Sequence, residues 1–248
     1  MWLVPRASPG SSRHAPCRKY QIGQSLEGVL PDGVVNVITG KGSRSGQYIL
    51  DHPDIQKLAF TGSTEIGRGV YKAAQEKLIP ATLELGGKSA NIFFDDCDWD
   101  MAMDGAQLGI LFNQGQVCCA GSRILVAEAV ADRFTELLAR RMGTLIVGDP
   151  LEKSTDIGAI VHPVQLGRIR ALVEQGQAEG ARVHQGSAPA GCFYPPTFVT
   201  GVEPASILAT EEIFGPVVTL TPFRTPEDAV ALANNTRYGL AGSVWSEN

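Results

Sequence analysis

The sequence predicts an α/β fold, and three features predict it. Short apolar or β-branched runs end in Gly-containing turns that open into helical periodicity, as at Phe60-Thr61-Gly62 before the stretch following Ser63. Two strand-like runs, residues 81–85 and 90–94, flank a Gly86-Gly87 turn. Beyond them, amphipathic helices at 129–142 and 163–179 alternate with strands at 124–127, 182–185, 194–200 and 217–223. Strands joined through helices in this order make layered α/β sheets.

Bulk composition narrows the class further. With 248 residues and 44% hydrophobic content, the chain buries a sizeable core in one large or two modest domains. A net charge of −5 disfavours nucleic acid or an anionic membrane as partner. No apolar run approaches the roughly 18–20 residues that span a bilayer. The five cysteines, Cys17, Cys97, Cys118, Cys119 and Cys192, form an odd set with an adjacent pair, which fits a reducing compartment and a cytoplasmic protein. Four unclustered histidines leave no zinc-ligand spacing, so no metal is expected.

Residues 1–20 differ from the rest. They are rich in Pro, Ser and basic residues, and the first acid is Glu27. That composition is loosely that of a mitochondrial transit peptide, although Pro5, Pro9 and Pro16 spoil an amphipathic helix; an unrelated or disordered leader is the expectation, with the mitochondrial matrix as alternative compartment. Residues 34–39 read as a buried strand, followed by a Gly40-x-Gly42-x-x-x-Gly46 turn and a short helix to Leu50. The glycine spacing departs from the dinucleotide fingerprint Gly-x-Gly-x-x-Gly and is weak by itself.

A strand at 57–62 leads to Ser63 as helix N-cap, with Glu65 in the first turn and the helix running to about Lys77. Free N–H groups and the helix dipole at such a terminus favour a phosphate, though an ordinary βα turn has the same look. Asp95, Asp96 and Asp98 lack the Gly and terminal Glu of a calcium loop and instead start a helix over 101–112. Near the end, a strand at 217–223, a helix at 226–234 and a strand at 242–245 follow one another.

Two stretches carry the chemistry. The first is Phe112-Asn113-Gln114-Gly115-Gln116-Val117-Cys118-Cys119-Ala120-Gly121-Ser122-Arg123, a thiol pair on a Gly-flanked loop between a helix and a strand. Loop N–H groups beside a thiol lower its pKa and bind a developing oxyanion, although most free cysteines are small buried hydrophobes. The second is Leu83-Glu84-Leu85-Gly86-Gly87-Lys88-Ser89. Partial burial of Glu84 between two leucines would raise its pKa into the range of a general base, and a solvated edge-strand Glu is the alternative.

Together these stretches resemble the aldehyde dehydrogenase superfamily. Glu84 looks like its general base and Cys118, two positions after Gln116, like its nucleophile, the two being 34 positions apart in the order the family has. The resemblance spans roughly residues 26–248 and implies a partial Rossmann-type coenzyme domain over 21–85 and an α/β catalytic domain over 86–248. Residues 60–67 look like the coenzyme-binding turn, with Glu65 pointing outward, and the resemblance implies Gly42, Gly62, Ser63, Ile66, Gly67 and Leu85 at the coenzyme. Glu211-Glu212-Ile213-Phe214-Gly215-Pro216 resembles the nicotinamide-ribose motif, which places Glu212 on the ribose hydroxyls and Phe214 beside the nicotinamide. Gln165 and Arg168, one helical turn apart, reach a ribose in the family pose or else lie on a solvated face. The implied coenzyme is NAD, with NADP not excluded, the substrate a small aldehyde, and the full-length form a homo-oligomer.

The family's Pro-Trp-Asn motif, whose Asn supplies half the oxyanion hole, does not occur in the sequence, and neither does its Lys-Pro-x-Glu ribose motif. The expectation is a chain shortened at both ends, with low activity and an exposed sheet edge. A non-catalytic remnant and a coenzyme-independent thiol esterase are the alternatives.

Overall fold

The computed structural model describes residues 24–26 and 28–248. The leader reading of residues 1–20, and Cys17, lie outside the described residues. The chain divides into two compact units, the first ending at Gly86 and the second spanning Gly87–Asn248.

In the first unit a helical turn of π type at Gly42–Gly46 runs into α1 (Gln47–Asp51), and β1 (Leu58–Thr61), α2 (Thr64–Glu76) and β2 (Ala81–Glu84) form a parallel β-α-β unit. Its core is Ile55, Leu58, Phe60, Val70 and Ala74, with Leu83 and Leu85 packed against it. Period-two alternation sends Leu58 and Phe60 inward while Ala59 and Thr61 face out. The strand expected at 34–39 does not form. Val34 is 43% and Ile38 49% exposed, and the sheet of this unit holds only β1 and β2 among the described residues. β-branched residues favour a strand only where a neighbour offers backbone and side-chain partners. The glycines after it likewise make a helical turn rather than a phosphate loop; a Cβ at Gly40 would collide with Ser45.

The second unit is a six-stranded sheet in the order β5-β6-β7-β4-β3-β8, parallel except for the β5/β6 pair. Its strands are β3 (Ala90–Phe93), β4 (Arg123–Ala127), β5 (Arg182–Gln185), β6 (Thr197–Thr200), β7 (Val217–Phe223) and β8 (Gly242–Trp245). The helices are α3 (Trp99–Leu111), α4 (Ala131–Gly143), α5 (Pro163–Ala178), the single turn α6 (Ile207–Thr210) and α7 (Pro226–Asn234). Register explains the layering. Phe93, Ile124, Val126, Val218, Leu220 and Phe198 share one face, where they pack on Ala102, Ala106, Phe134, Leu138 and Met142 of α3 and α4. Ile92, Leu125 and Phe223 point to the opposite face under Ala229 of α7, and Val199 and Val217 meet Leu166, Ile169 and Val173 of α5 on that face too. Parallel strands need such cover on both faces, and β4 is accordingly buried from Arg123 to Val126 without alternation.

Helix ends follow the sequence closely. Ser63 caps α2, Asp98 caps α3 by accepting from Asp100 and Met101 N–H, and Thr225 caps α7 from Asp228 N–H. Cross-sheet polar bonds also fix β8: Asn91 Oδ1 accepts from Ser243 Oγ and Trp245 Nε1, each at 2.7 Å.

Candidate active site

β3, β4 and β7 are adjacent and parallel, so the segments entering them converge on one edge of the sheet. Those segments are Gly87-Lys88-Ser89, the cysteine loop, and residues 211–216. A small cleft there is lined by Gly87, Gly115, Val117, Ala120, Ser122, Glu212, Phe214 and Gly215, among others. It sits at the amino ends of the strands, opposite to the carboxyl ends where open parallel sheets usually bind ligands.

The cysteine loop departs from α3 through a sharp reversal. Asn113 (φ 50°), Gln114 (φ 57°) and Gly115 (φ 67°) are all left-handed. Asn tolerates that region and glycine is free in it, whereas Gln114 costs roughly 1–2 kcal/mol there. The three loop amides brace the turn. Asn113 Nδ2 donates to Gln116 C=O, the Gln114 amide lies 3.2 Å from both Asn113 C=O and Gly158 N–H, and Gln116 Oε1 accepts from Val161 N–H. Gly115 has no alternative, because a Cβ would strike the carbonyls of Gly215 and Ile110.

Past this brace a β-turn closes with Ala120 N–H donating to Val117 C=O at 3.1 Å, which leaves Cys118 and Cys119 at its two central positions. Cys118 is half-buried and Cys119 exposed. Neither of their backbone N–H groups has an acceptor among the described residues. Gly87 backs the turn, for a Cβ there would run into the Cys118 carbonyl. Beyond its place in the Gly86-Gly87 turn, close backbone approach is what requires glycine at this position.

Glu212 is half-buried, and its Oε1 accepts from Gly87 N–H at 3.2 Å. Burial raises its carboxyl above the usual range, while the Gly87 N–H, Arg168 and Lys88 act in the opposite sense. Gln165 donates to the carbonyls of Ile213 and Phe214 at 3.0 Å, and Arg168 reaches the Glu212 carbonyl at 3.5 Å. In this chain, then, both residues hold the backbone of the Glu212 loop, a role the helical spacing alone did not indicate. Phe214 takes φ 57° and lines the cleft.

The remaining expected residues lie in the first unit. Ser63 Oγ accepts from Ile66 N–H at 3.4 Å, Ile66 and Glu65 are exposed, and the N–H groups of Thr64 and Glu65 have no acceptor among the described residues. Gly67 is buried where a Cβ would strike Leu85, so this pair sets how closely α2 lies on β2. Gly62 lies under the Phe60 ring, and Gly42 is half-buried in the helical turn before α1. Glu84 corrects the expectation of partial burial. It is exposed, because the alternation that puts Leu83 on the core turns Thr82 and Glu84 outward.

Two buried cations at this edge were not singled out from the sequence. Arg123 is 5% exposed and donates to the carbonyls of Lys88, Leu232 and Ala233, closing the end of α7. Lys88 is 1% exposed, and its Nζ has no hydrogen-bond partner among the described residues. A lysine after Gly-Gly reads as a surface residue, and burial of this kind leaves no local sequence signal.

The free N–H pair at the start of α2 suits a phosphate, and the second carboxylate oxygen of Glu212, unbonded at the cleft, suits a vicinal diol.

The sequence matches the aldehyde dehydrogenase family over residues 11–248. It is 42% identical over 227 residues to an aldehyde dehydrogenase-like protein of Schizosaccharomyces pombe, covering 90% of this chain and 46% of that protein. Among solved structures, the NAD-dependent aldehyde dehydrogenase of Sinorhizobium meliloti superposes with a TM-score of 0.93 at 37% identity, covering 99% of this chain and 49% of that one. Betaine aldehyde dehydrogenase of Staphylococcus aureus in complex with NAD+ gives 0.90 at 36% identity, over 93% and 47% of the two chains. The chain thus spans about half the length of the relatives it matches.

Proposed function

The chain belongs to the aldehyde dehydrogenase family, and from that premise we propose that its residues carry the thiol and general-base steps of NAD(P)+-dependent oxidation of an aldehyde to a carboxylic acid. The observation that carries this reading is the turn at residues 117–120, which offers a half-buried Cys118 thiol beside an unbonded backbone N–H.

Cys118 Sγ forms a bond to the aldehyde carbon, and the carbonyl oxygen becomes an oxyanion that accepts from the Cys118 N–H. A nicotinamide dinucleotide, when bound, would supply the hydride acceptor for this carbon. Glu212 and Phe214 would hold its ribose and ring, with Gln165 and Arg168 fixing the backbone of their loop. Ser63 and the first turn of α2 take the phosphates. Glu84 then removes a proton from water, the water oxygen attacks the acyl carbon, and the C–S bond breaks to release the acid and the thiolate. An exposed Glu84 is open to the water it must activate.

One oxyanion donor is typically worth ~10²–10³ in turnover. The 248 residues have the Cys118 N–H but no Pro-Trp-Asn motif, so by themselves they are expected to be at least that much slower than full-length relatives. The test is NADH formation from a small aldehyde panel with this chain and with Cys118→Ala, Cys119→Ser and Glu84→Gln. Turnover that is lost in Cys118→Ala and Glu84→Gln and kept in Cys119→Ser supports the reading; turnover that survives Cys118→Ala refutes it.

A further inference from the structure

Because β8 runs parallel to β3, the segment joining α7 to β8 returns to the sheet edge that holds the cleft. Residues 235–240 of this segment are pinned there at three points. Asn235 Nδ2 donates to the Pro204 carbonyl at 3.1 Å. Arg237 Nη2 donates to Glu211 Oε2 at 2.8 Å, and the Tyr238 hydroxyl donates to the same oxygen at 3.4 Å. Leu240 Cδ2 lies 3.5 Å from the place a Cβ on Gly87 would take, the same place that collides with the Cys118 carbonyl.

Two of these contacts fall on the Gly87–Glu212 hydrogen bond, one at each end. Glu211 is extended (φ −103°, ψ 146°), so its side chain and that of Glu212 leave the backbone on opposite sides, the first to Arg237 and the second to Gly87. Gln165 and Arg168 hold only carbonyls of this loop, which leaves the Glu211 side chain as its grip on the other flank. An isolated exposed ion pair would hold little. Here the Glu211 side chain is 25% exposed, and the Arg237 guanidinium also lies 5.2 Å from the Tyr238 ring centroid and donates to the Tyr238 hydroxyl at 3.2 Å. The three side chains thus close a network, which fixes geometry better than a pair does. Leu240 stands at φ 105°, a conformation that a leucine keeps only where its surroundings impose it. The Glu211 anchor on one side and the Gly242–Ala90 register on the other impose it.

We propose that Arg237 and Leu240 are positioning residues for the site: Arg237, gripping Glu211, aims the Glu212 carboxylate at Gly87 N–H and the cleft, and Leu240 holds Gly87 in place beside the Cys118 carbonyl. Each acts through a residue that lines the cleft, Glu212 for the first and Gly87 for the second. The consequence for the dinucleotide rests on the ribose-binding role proposed for Glu212. Loss of the grip frees the loop to turn about the carbonyls that Gln165 and Arg168 hold, and the carboxylate then spends less time at Gly87.

The test uses the 248-residue chain, with amide exchange read by NMR at Gly87 and along α4, and NAD+ affinity measured on the same variants. Arg237→Ala and Glu211→Gln should each speed Gly87 exchange several-fold and weaken NAD+ binding several-fold, while α4 keeps its protection. The double variant should be no worse than either single one, because both remove the same interaction. Arg237→Lys, which keeps the charge, should retain most of both properties. Leu240→Gly, which removes the side chain and relieves the backbone, should speed Gly87 exchange and raise the rate of Cys118 alkylation by iodoacetamide.

Gly87 exchange unmoved by Arg237→Ala, or single effects that add in the double variant, overturns the role of Arg237. Gly87 exchange and Cys118 alkylation both unmoved by Leu240→Gly overturn that of Leu240. Exchange that rises as much in α4 as at Gly87 is the mark of a merely structural contact and overturns both. Unchanged NAD+ affinity in Glu212→Gln overturns the ribose role beneath the proposal, and Gly87 exchange, measured without NAD+, is read separately from that result.

Discussion

Cys118 and Cys119 are neighbours in sequence and share a turn, yet their surroundings differ: the first is half-buried with Gly87 against its carbonyl, the second is exposed. A β-turn of four residues gives its two central positions different outlooks. Lys88 is the residue whose behaviour is hardest to read from sequence. Its carbonyl accepts from Arg123 and the N–H of its neighbour Gly87 is held by Glu212, more than thirty and more than a hundred positions away, segments that converge only through the order of β3, β4 and β7. Replacing an unpaired buried cation by an apolar side chain of similar volume removes a desolvation cost, so Lys88→Met should stabilise the fold by about 1–4 kcal/mol at acid pH. The folded-state pKa is depressed to about 7 from 10.5. Below 7 both folded and unfolded states carry the proton and the full penalty stands; between about 7 and 10.5 the folded state releases it and the unsubstituted protein gains stability. The advantage of Lys88→Met should therefore be largest below pH 7 and fade toward pH 10.5 in thermal denaturation. A constant advantage across that range would mean that the ammonium is compensated where it lies.

At the scale of elements, the sequence was legible where periodicity and caps agree and illegible where pairing decides. The β7 bounds follow from its run of β-branched and apolar residues, and the α7 bounds and the caps Ser63 and Asp98 from Pro at a helix start and side-chain oxygens before it. Residues 34–39 have a strand's composition and no strand beside them, and composition alone says nothing about the neighbour. Glu84 illustrates the same limit: flanking leucines announce a core, but period two puts the residue between them on the other side. The loop that carries Cys118 depends on a backbone contact that no pattern encodes, that of Gly115 with Gly215. Gly115→Ala asks an L-residue to adopt φ 67° and to overlap two carbonyls. A loss of roughly 1–3 kcal/mol or more is expected, together with faster alkylation of Cys118 by iodoacetamide as the turn loosens. Arg123→Met should cost a similar amount, since it leaves carbonyls of Lys88, Leu232 and Ala233 unpaired. Amide exchange should then rise first in α7, the helix whose end Arg123 closes; unchanged protection there would contradict that assignment.

For the molecule as a whole, two units divide the residues of one proposed reaction. The first carries Glu84 and the α2 terminus, the second the thiol loop and the Glu212 loop, and the motifs identified the family without showing how either unit presents them. Placement of the second unit's cleft at the amino ends of a parallel sheet is a consequence of strand order, and it brings a glycine, a thiol turn and a carboxylate loop to a single edge. The measurement that bears most directly on the central claim is the location of the acyl group. Glu84→Gln, incubated with aldehyde and NAD+ and digested at low pH, should accumulate an acyl adduct on the peptide bearing Cys118 and none at Cys119, as read by mass spectrometry. An adduct at Cys119, or NADH formed by Glu84→Gln at the unsubstituted rate with no adduct at Cys118, would contradict the assignment of nucleophile and base.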